Sequence, residues 1–156
     1  MNHRNILSII FASVLLAIAP LIVDAQEVSV NLAERPVTRG STLKGTLVLS
    51  IPEGLHVNSN KPSGEYLIAT SVRLSGDGFK VGKIDYPKGA NRKFQFSESE
   101  LNVYEGKISI PFSVNILKSF KGKRLSMKAL VRYQACTEEI CYPPRNKEVI
   151  VTAQVK

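Results

Sequence analysis

Three features of the sequence predict an all-β fold, an antiparallel β-sandwich. Apolar and polar side chains alternate with a period of two along most of residues 26–156. Turn-forming residues interrupt these runs at short intervals. No stretch after Gln26 repeats its apolar residues at the spacing of an amphipathic helix. A period of two gives each strand one buried face, and two such faces packed together make a sandwich.

Val28, Val30 and Leu32 form the first alternating run. Leu43, Leu47, Leu49 and Ile51 form the second, with Gly45 in the series. Leu67 to Leu74 and Phe79 to Tyr86 read as further strands. Ile108, Ile110, Phe112, Val114 and Ile116 give the cleanest stripe. Leu125, Met127, Ala129, Val131, Tyr133 and Ala135 give another, and Val149, Val151, Ala153 and Val155 close the chain. Pro52-Glu53-Gly54, Lys61-Pro62-Ser63-Gly64, Gly76-Asp77-Gly78, Pro87-Lys88-Gly89, Glu105-Gly106 and Lys121-Gly122 supply the turns. Seven to nine short strands of this kind read as one immunoglobulin-like domain over residues 26–156. The antibody-type Cys–Trp–Cys signature is missing. There is no Trp, and Cys136 and Cys141 are too close in sequence to bridge two sheets.

Residues 1–25 have the layout of a cleaved secretory signal peptide. Arg4 and His3 precede the apolar run Ile6–Val23, and Val23-Asp24-Ala25 offers a cut before Gln26. A membrane anchor is the competing reading of a run this long; Pro20 and the cleavage site favour removal. No cysteine follows the run to carry a lipid. The formal net charge is +8. Export argues against nucleic acid as the partner of that charge, and the lysines are dispersed. The densest group, Lys118, Lys121, Lys123, Arg124 and Lys128, reads first as a solvated hairpin with edge-protecting lysines. A patch facing anionic headgroups or an acidic partner is the alternative. Gly89 to Asn102 breaks the alternation and is polar except for Phe94 and Phe96, the pattern of a functional or mobile connection.

The only two cysteines, Cys136 and Cys141, lie where the Leu125–Ala135 stripe ends and Pro143-Pro144 stops the ladder. In an exported chain they are expected to pair, at the tip of a hairpin or short loop. Closing so short a loop stabilises a fold by only about 2 kcal/mol. A staple would gain more by joining distant strands, whereas an exposed tip is open to an attacking thiolate. The sequence pattern alone leaves a structural staple and a redox pair both open. Glu138 and Glu139 between the cysteines disfavour the thiolate, which suits a carrier attacked by its partner more than an aggressive oxidant. Metal binding through Cys136, Cys141 and His56 would have too few ligands for a closed zinc site. His56 reads instead as a hydrogen-bonded residue of a structural turn near a strand. No acid–base constellation is visible.

The stretch Tyr133-Gln-Ala-Cys136-Thr-Glu-Glu-Ile-Cys141-Tyr-Pro-Pro144 resembles the active-site signature of the N-terminal periplasmic domain of DsbD-type thiol:disulfide interchange reductases. Pro52-Glu-Gly-Leu-His-Val-Asn-Ser-Asn-Lys-Pro62 and Phe79-Lys-Val-Gly-Lys-Ile-Asp-Tyr-Pro87 resemble two further segments of that family. The likeness covers most of Thr42 to Lys156. It implies an immunoglobulin-like domain in the periplasm. Such a domain would pass reducing equivalents from a thioredoxin-like or membrane-embedded thiol reductase to a disulfide isomerase or cytochrome c maturation protein. It implies that Cys141 forms the mixed disulfide and Cys136 resolves it, with no metal and no organic cofactor. Tyr133 and Tyr142 would pack about the sulfurs, and Phe96, with Phe94 as the second choice, would shield them from a cap loop. The spacer between the cysteines is one residue shorter than in the best-known members. The chain, ending at Lys156, would meet its electron donor as a separate protein. A β-sandwich binding module with a structural disulfide is the runner-up.

Overall fold

The computed structural model describes residues 26–33, 36–64 and 66–156; the expected signal peptide lies outside them. Eleven strands follow in order: β1 (Glu27–Leu32), β2 (Thr42–Ser50), β3 (His56–Asn58), β4 (Ser71–Ser75), β5 (Phe79–Ile84), β6 (Ala90–Arg92), β7 (Leu101–Tyr104), β8 (Lys107–Ile116), β9 (Arg124–Tyr133), β10 (Ala135–Cys136) and β11 (Arg145–Gln154). No helix occurs among the described residues. The strands form sheets of order β1-β2-β8-β5, β11-β9-β4 and β10-β3-β7-β6. Among the described residues every strand pair is antiparallel, and one parallel bridge joins Val37 to Val155. The all-β, immunoglobulin-like sandwich expected from the alternation is the fold observed.

Alternation decides the two long sheets. Along β8, Ile110, Phe112, Val114 and Ile116 are buried while their neighbours face outward. Along β9, Leu125, Met127, Ala129, Val131 and Tyr133 do the same. With Leu43, Leu47 and Leu49 of β2 and Val72 and Leu74 of β4 they make one continuous core. Burial of side chains of this size stabilises the fold by about 1.5–3 kcal/mol each before the entropy of ordering is subtracted. Gly45 interrupts the β2 stripe for a steric reason. It pairs with Phe112, and a Cβ there would sit 2.4 Å from Phe112 Cζ.

The structure departs from the pattern in three places. The expected strand Leu67–Leu74 is a strand only from Ser71. Before it, the Asn58 amide donates to Ile68 O at 3.2 Å and the Thr70 hydroxyl donates to Asn58 O at 2.6 Å, so side chains hold this backbone. The segment from Gly89 to Asn102 is a β-hairpin, with β6 paired to β7, and its loop carries Phe94 and Phe96. The stripe ending at Ala135 is broken at Gln134. Tyr133 still pairs with Arg145 of β11, whereas Ala135 and Cys136 pair with Val57 and His56 of β3.

Replacing Gly45 with alanine is expected to destabilise the fold by about 1–3 kcal/mol, the range for overpacking a filled core. Urea denaturation of wild type and variant measures it.

Candidate functional site

Residues 134–144 form the connection between β9 and β11, and they hold the disulfide. Cys136 and Cys141 are bonded at 2.01 Å, with their Cα atoms 4.0 Å apart. The turn between them is organised by Thr137. Its N–H donates to Ile140 O at 2.8 Å, and its hydroxyl oxygen accepts the N–H of Ile140 at 3.1 Å and of Glu139 at 3.2 Å. Below the bond, the Tyr142 N–H donates to Ala135 O at 2.8 Å, and the Gln134 amide donates to Tyr142 O at 3.1 Å. Backbone pairing, with the Thr137 and Gln134 side chains, therefore holds the two cysteines close independently of the disulfide.

The two sulfur-bearing residues differ in environment. Cys136 is fully buried, because it sits on β10 against β3. Cys141 is exposed, as are its neighbours Ile140 and Tyr142. The exposed tip expected from the sequence is therefore true of one cysteine only. Tyr133 is also fully buried, at the end of β9, so the two tyrosines flanking the pair occupy opposite environments. Glu138 and Glu139 face solvent.

Directly across the strand pair from Cys136 is His56. Opposed residues of an antiparallel pair project to the same face, with Cβ atoms about 4.5–5.5 Å apart. The turn residue expected at position 56 is thus a strand residue. It was misread because His56, Val57 and Asn58 are all buried and show no alternation. The His56 ring stacks on Phe94 with centroids 3.9 Å apart and planes inclined by 16°. Phe96 lies parallel and to the side, 5.5 Å from Phe94 and 6.4 Å from His56. Phe94 is 4% exposed and packs with Leu101 and Val103 in a small second cluster; Phe96 is 39% exposed. Phe94 therefore anchors the loop after β6, and Phe96 forms its outer ring. Sequence reasoning missed the His56–Phe94 contact, for which the only signal was two aromatics in an otherwise polar loop.

Polar contacts hold this small sheet in place. Ser59 N–H donates to Asn102 O at 2.9 Å. The Tyr104 hydroxyl lies 2.7 Å from Asn60 Oδ1 and 2.9 Å from Pro87 O, and burial raises its pKa, so it stays a protonated donor. Arg92 donates through two nitrogens to Glu105 Oε2, each at 3.0 Å, across the rim of the hairpin. His56 Nε2 is buried with no hydrogen-bond partner among the described residues. Burial lowers the His56 pKa, against a weaker opposing pull from the Glu105 carboxylate, so the imidazole is neutral.

The family described as "Thiol:disulfide interchange protein DsbD, N-terminal" matches residues 24–153. The chain belongs to this family. The match reaches further toward the N-terminus than the expected Thr42 and takes in β1. A thiol:disulfide interchange protein DsbD from Haemophilus ducreyi is 28% identical over 81 residues, which is 52% of this chain and 13% of that protein. The chain thus spans a small part of the curated relative it matches. The N-terminal periplasmic domain of ScsB from Proteus mirabilis is similar in fold, with a TM-score of 0.56 at 13% identity over 82% of this chain and 46% of that one. The DsbD N-terminal domain of Neisseria meningitidis, in its reduced form, has a TM-score of 0.49 at 19% identity, over 79% of this chain and 82% of that one.

Within this DsbD-type domain, His56 links stability to pH. Its folded-state pKa lies below the ordinary 6.5, so the unfolded chain binds the proton more tightly. The stability held by the neutral ring is complete above pH 6.5 and is lost as pH falls below that value toward the lowered one. Urea midpoints measured from about pH 8 down to pH 5 should fall in wild type, and fall less in His56→Phe.

Proposed function

We propose that this domain is a thiol:disulfide exchange carrier in the periplasm, using Cys136 and Cys141 as its redox pair. The observation that carries the reading is the unequal burial of the two cysteines on a hairpin that needs no staple. Membership of the DsbD N-terminal family supports it. Of the two, Cys141, exposed between Ile140 and Tyr142, is the more open to a thiolate, and Cys136 is buried.

The exchange balances without metal or organic cofactor. A thiolate of a thioredoxin-like or membrane-embedded reductase attacks Cys141 Sγ, and the Cys136 thiolate leaves. The reductase's second thiolate then attacks its own sulfur in the mixed disulfide and releases Cys141. Two electrons have moved, and both cysteines take protons from solvent. The reverse sequence reduces an envelope substrate, such as a disulfide isomerase or a cytochrome c maturation protein: Cys141 attacks the substrate disulfide and Cys136 resolves the mixed species. Phe96, on the loop anchored by Phe94, acts as a shield until a partner displaces it. Tyr142 forms part of the docking rim, and Tyr133 supports the site from beneath.

Cys136→Ser should accumulate a mixed disulfide with a thioredoxin-like partner through Cys141, while Cys141→Ser should trap none; non-reducing gels with mass spectrometry read both. Equal trapping by the two variants would overturn the assigned roles. A reduction potential below about −300 mV would instead mark an inert staple in a binding module.

Removing the outer ring with Phe96→Ala should speed reduction by a small thiol on the order of tenfold, the effect of about 1.4 kcal/mol of shielding. Stopped-flow reduction by glutathione measures it.

A further inference from the structure

We infer that His56 is a hydrogen-bond donor to the Cys136 sulfur once the disulfide opens, and so a reacting-site residue of the exchange. The inference rests on the exchange reading given above. Its starting point is the buried position of Cys136. When a partner attacks Cys141, the negative charge of the departing thiolate develops on Cys136, away from solvent. A buried anion without hydrogen bonds is costly, and the site must supply a donor.

His56 meets that need by its position. It is the residue opposed to Cys136 in the β3–β10 pair, so both side chains leave the same face. It is buried, and its Nε2 has no hydrogen-bond partner among the described residues while the disulfide is closed. A neutral imidazole carries one N–H donor and one acceptor, so it can donate to a thiolate without itself being charged. A disulfide sulfur is a weak acceptor and a thiolate a strong one. The contact therefore favours the opened state over the closed one, the direction a leaving-group stabiliser requires.

The surroundings keep the ring in the required form. Phe94 covers its face from the loop after β6, with Phe96 to the side of Phe94. The charged group whose field reaches it is Glu105, after β7, whose carboxylate is shared with Arg92 of β6. Cys136 of β10 is the titratable group opposed to it once reduced. Burial holds the imidazole neutral, so donation of its N–H adds no second buried charge. No proton need transfer in the step: one S–S bond breaks, one forms with the partner, and the electron pair rests on Cys136 Sγ.

Two substitutions separate this role from simple packing. His56→Phe keeps an aromatic ring against Phe94 but loses the donor. His56→Gln loses the ring but keeps an N–H donor. The ultraviolet absorbance of the thiolate, followed across pH in each reduced protein, gives the Cys136 thiol pKa without needing access to the buried sulfur, with Cys141→Ser as the common background. Loss of the donor should raise that pKa by about one unit or more in His56→Phe, while His56→Gln stays nearer wild type. A packing role would give the opposite order. Where a variant unfolds, nuclear magnetic resonance of labelled histidine in the unsubstituted protein serves instead: the His56 ring nitrogen signals should shift on reduction of the disulfide. Unchanged thiol pKa in His56→Phe, or ring signals identical in the two redox states, would overturn the inference. If wild type still exchanges with a thioredoxin-like dithiol, that failure leaves the carrier reading standing. If the thiol pKa moves but no dithiol exchanges with wild type, the carrier reading fails and the hydrogen bond alone remains.

Discussion

The pairing of Ala135 and Cys136 with β3 is the constraint on which the rest of the site depends. The chain leaves the β11-β9-β4 sheet at Gln134 and joins a different one for two residues. That short excursion buries Cys136, sets it opposite His56, and turns the following residues outward so that Cys141 is exposed. The two bonded cysteines thus differ in exposure, one residue buried and the other open to solvent. A disulfide lying wholly in a loop would expose both to attack, and one wholly in the core would expose neither.

The scaffold beneath this site is ordinary β-sandwich physics. Long strands with strict alternation build a core to which neither cysteine contributes. The small sheet is different. It has short strands, a satellite apolar cluster under Phe94, and many side-chain hydrogen bonds from Asn58, Thr70 and Tyr104. Hydrogen-bonded side chains there do the positioning that alternating strands do elsewhere. This division lets the region around the sulfurs hold polar and aromatic groups that a packed core would exclude.

Sequence reading succeeded where local pattern and tertiary environment agree. In β8 and β9 one face meets the core and the other meets water, so the period of two is visible. It failed where both faces are covered, as in β3, or where a strand is three or four residues long, as in β6 and β7. The break at Gln134 was hidden for another reason. Tyr133 and Ala135 keep the alternation across it, and a change of partner strand leaves no mark on side-chain polarity. The ranking of Phe96 over Phe94 as the shield rests on the family resemblance, because residue chemistry does not separate them. They have identical chemistry two positions apart, and only packing against His56 gives them different roles.

The sequence by itself determined that this protein is an alternating, all-β chain with one closely spaced cysteine pair at the end of a strand. Those properties follow from local order: polarity period, turn residues and the spacing of Cys136 and Cys141. The tertiary structure alone decided that Cys136 is buried and Cys141 is not. It also decided that His56, far away in sequence, is the residue paired with the buried Cys136. Both depend on which strands pair, and strand pairing is a property of the whole sheet.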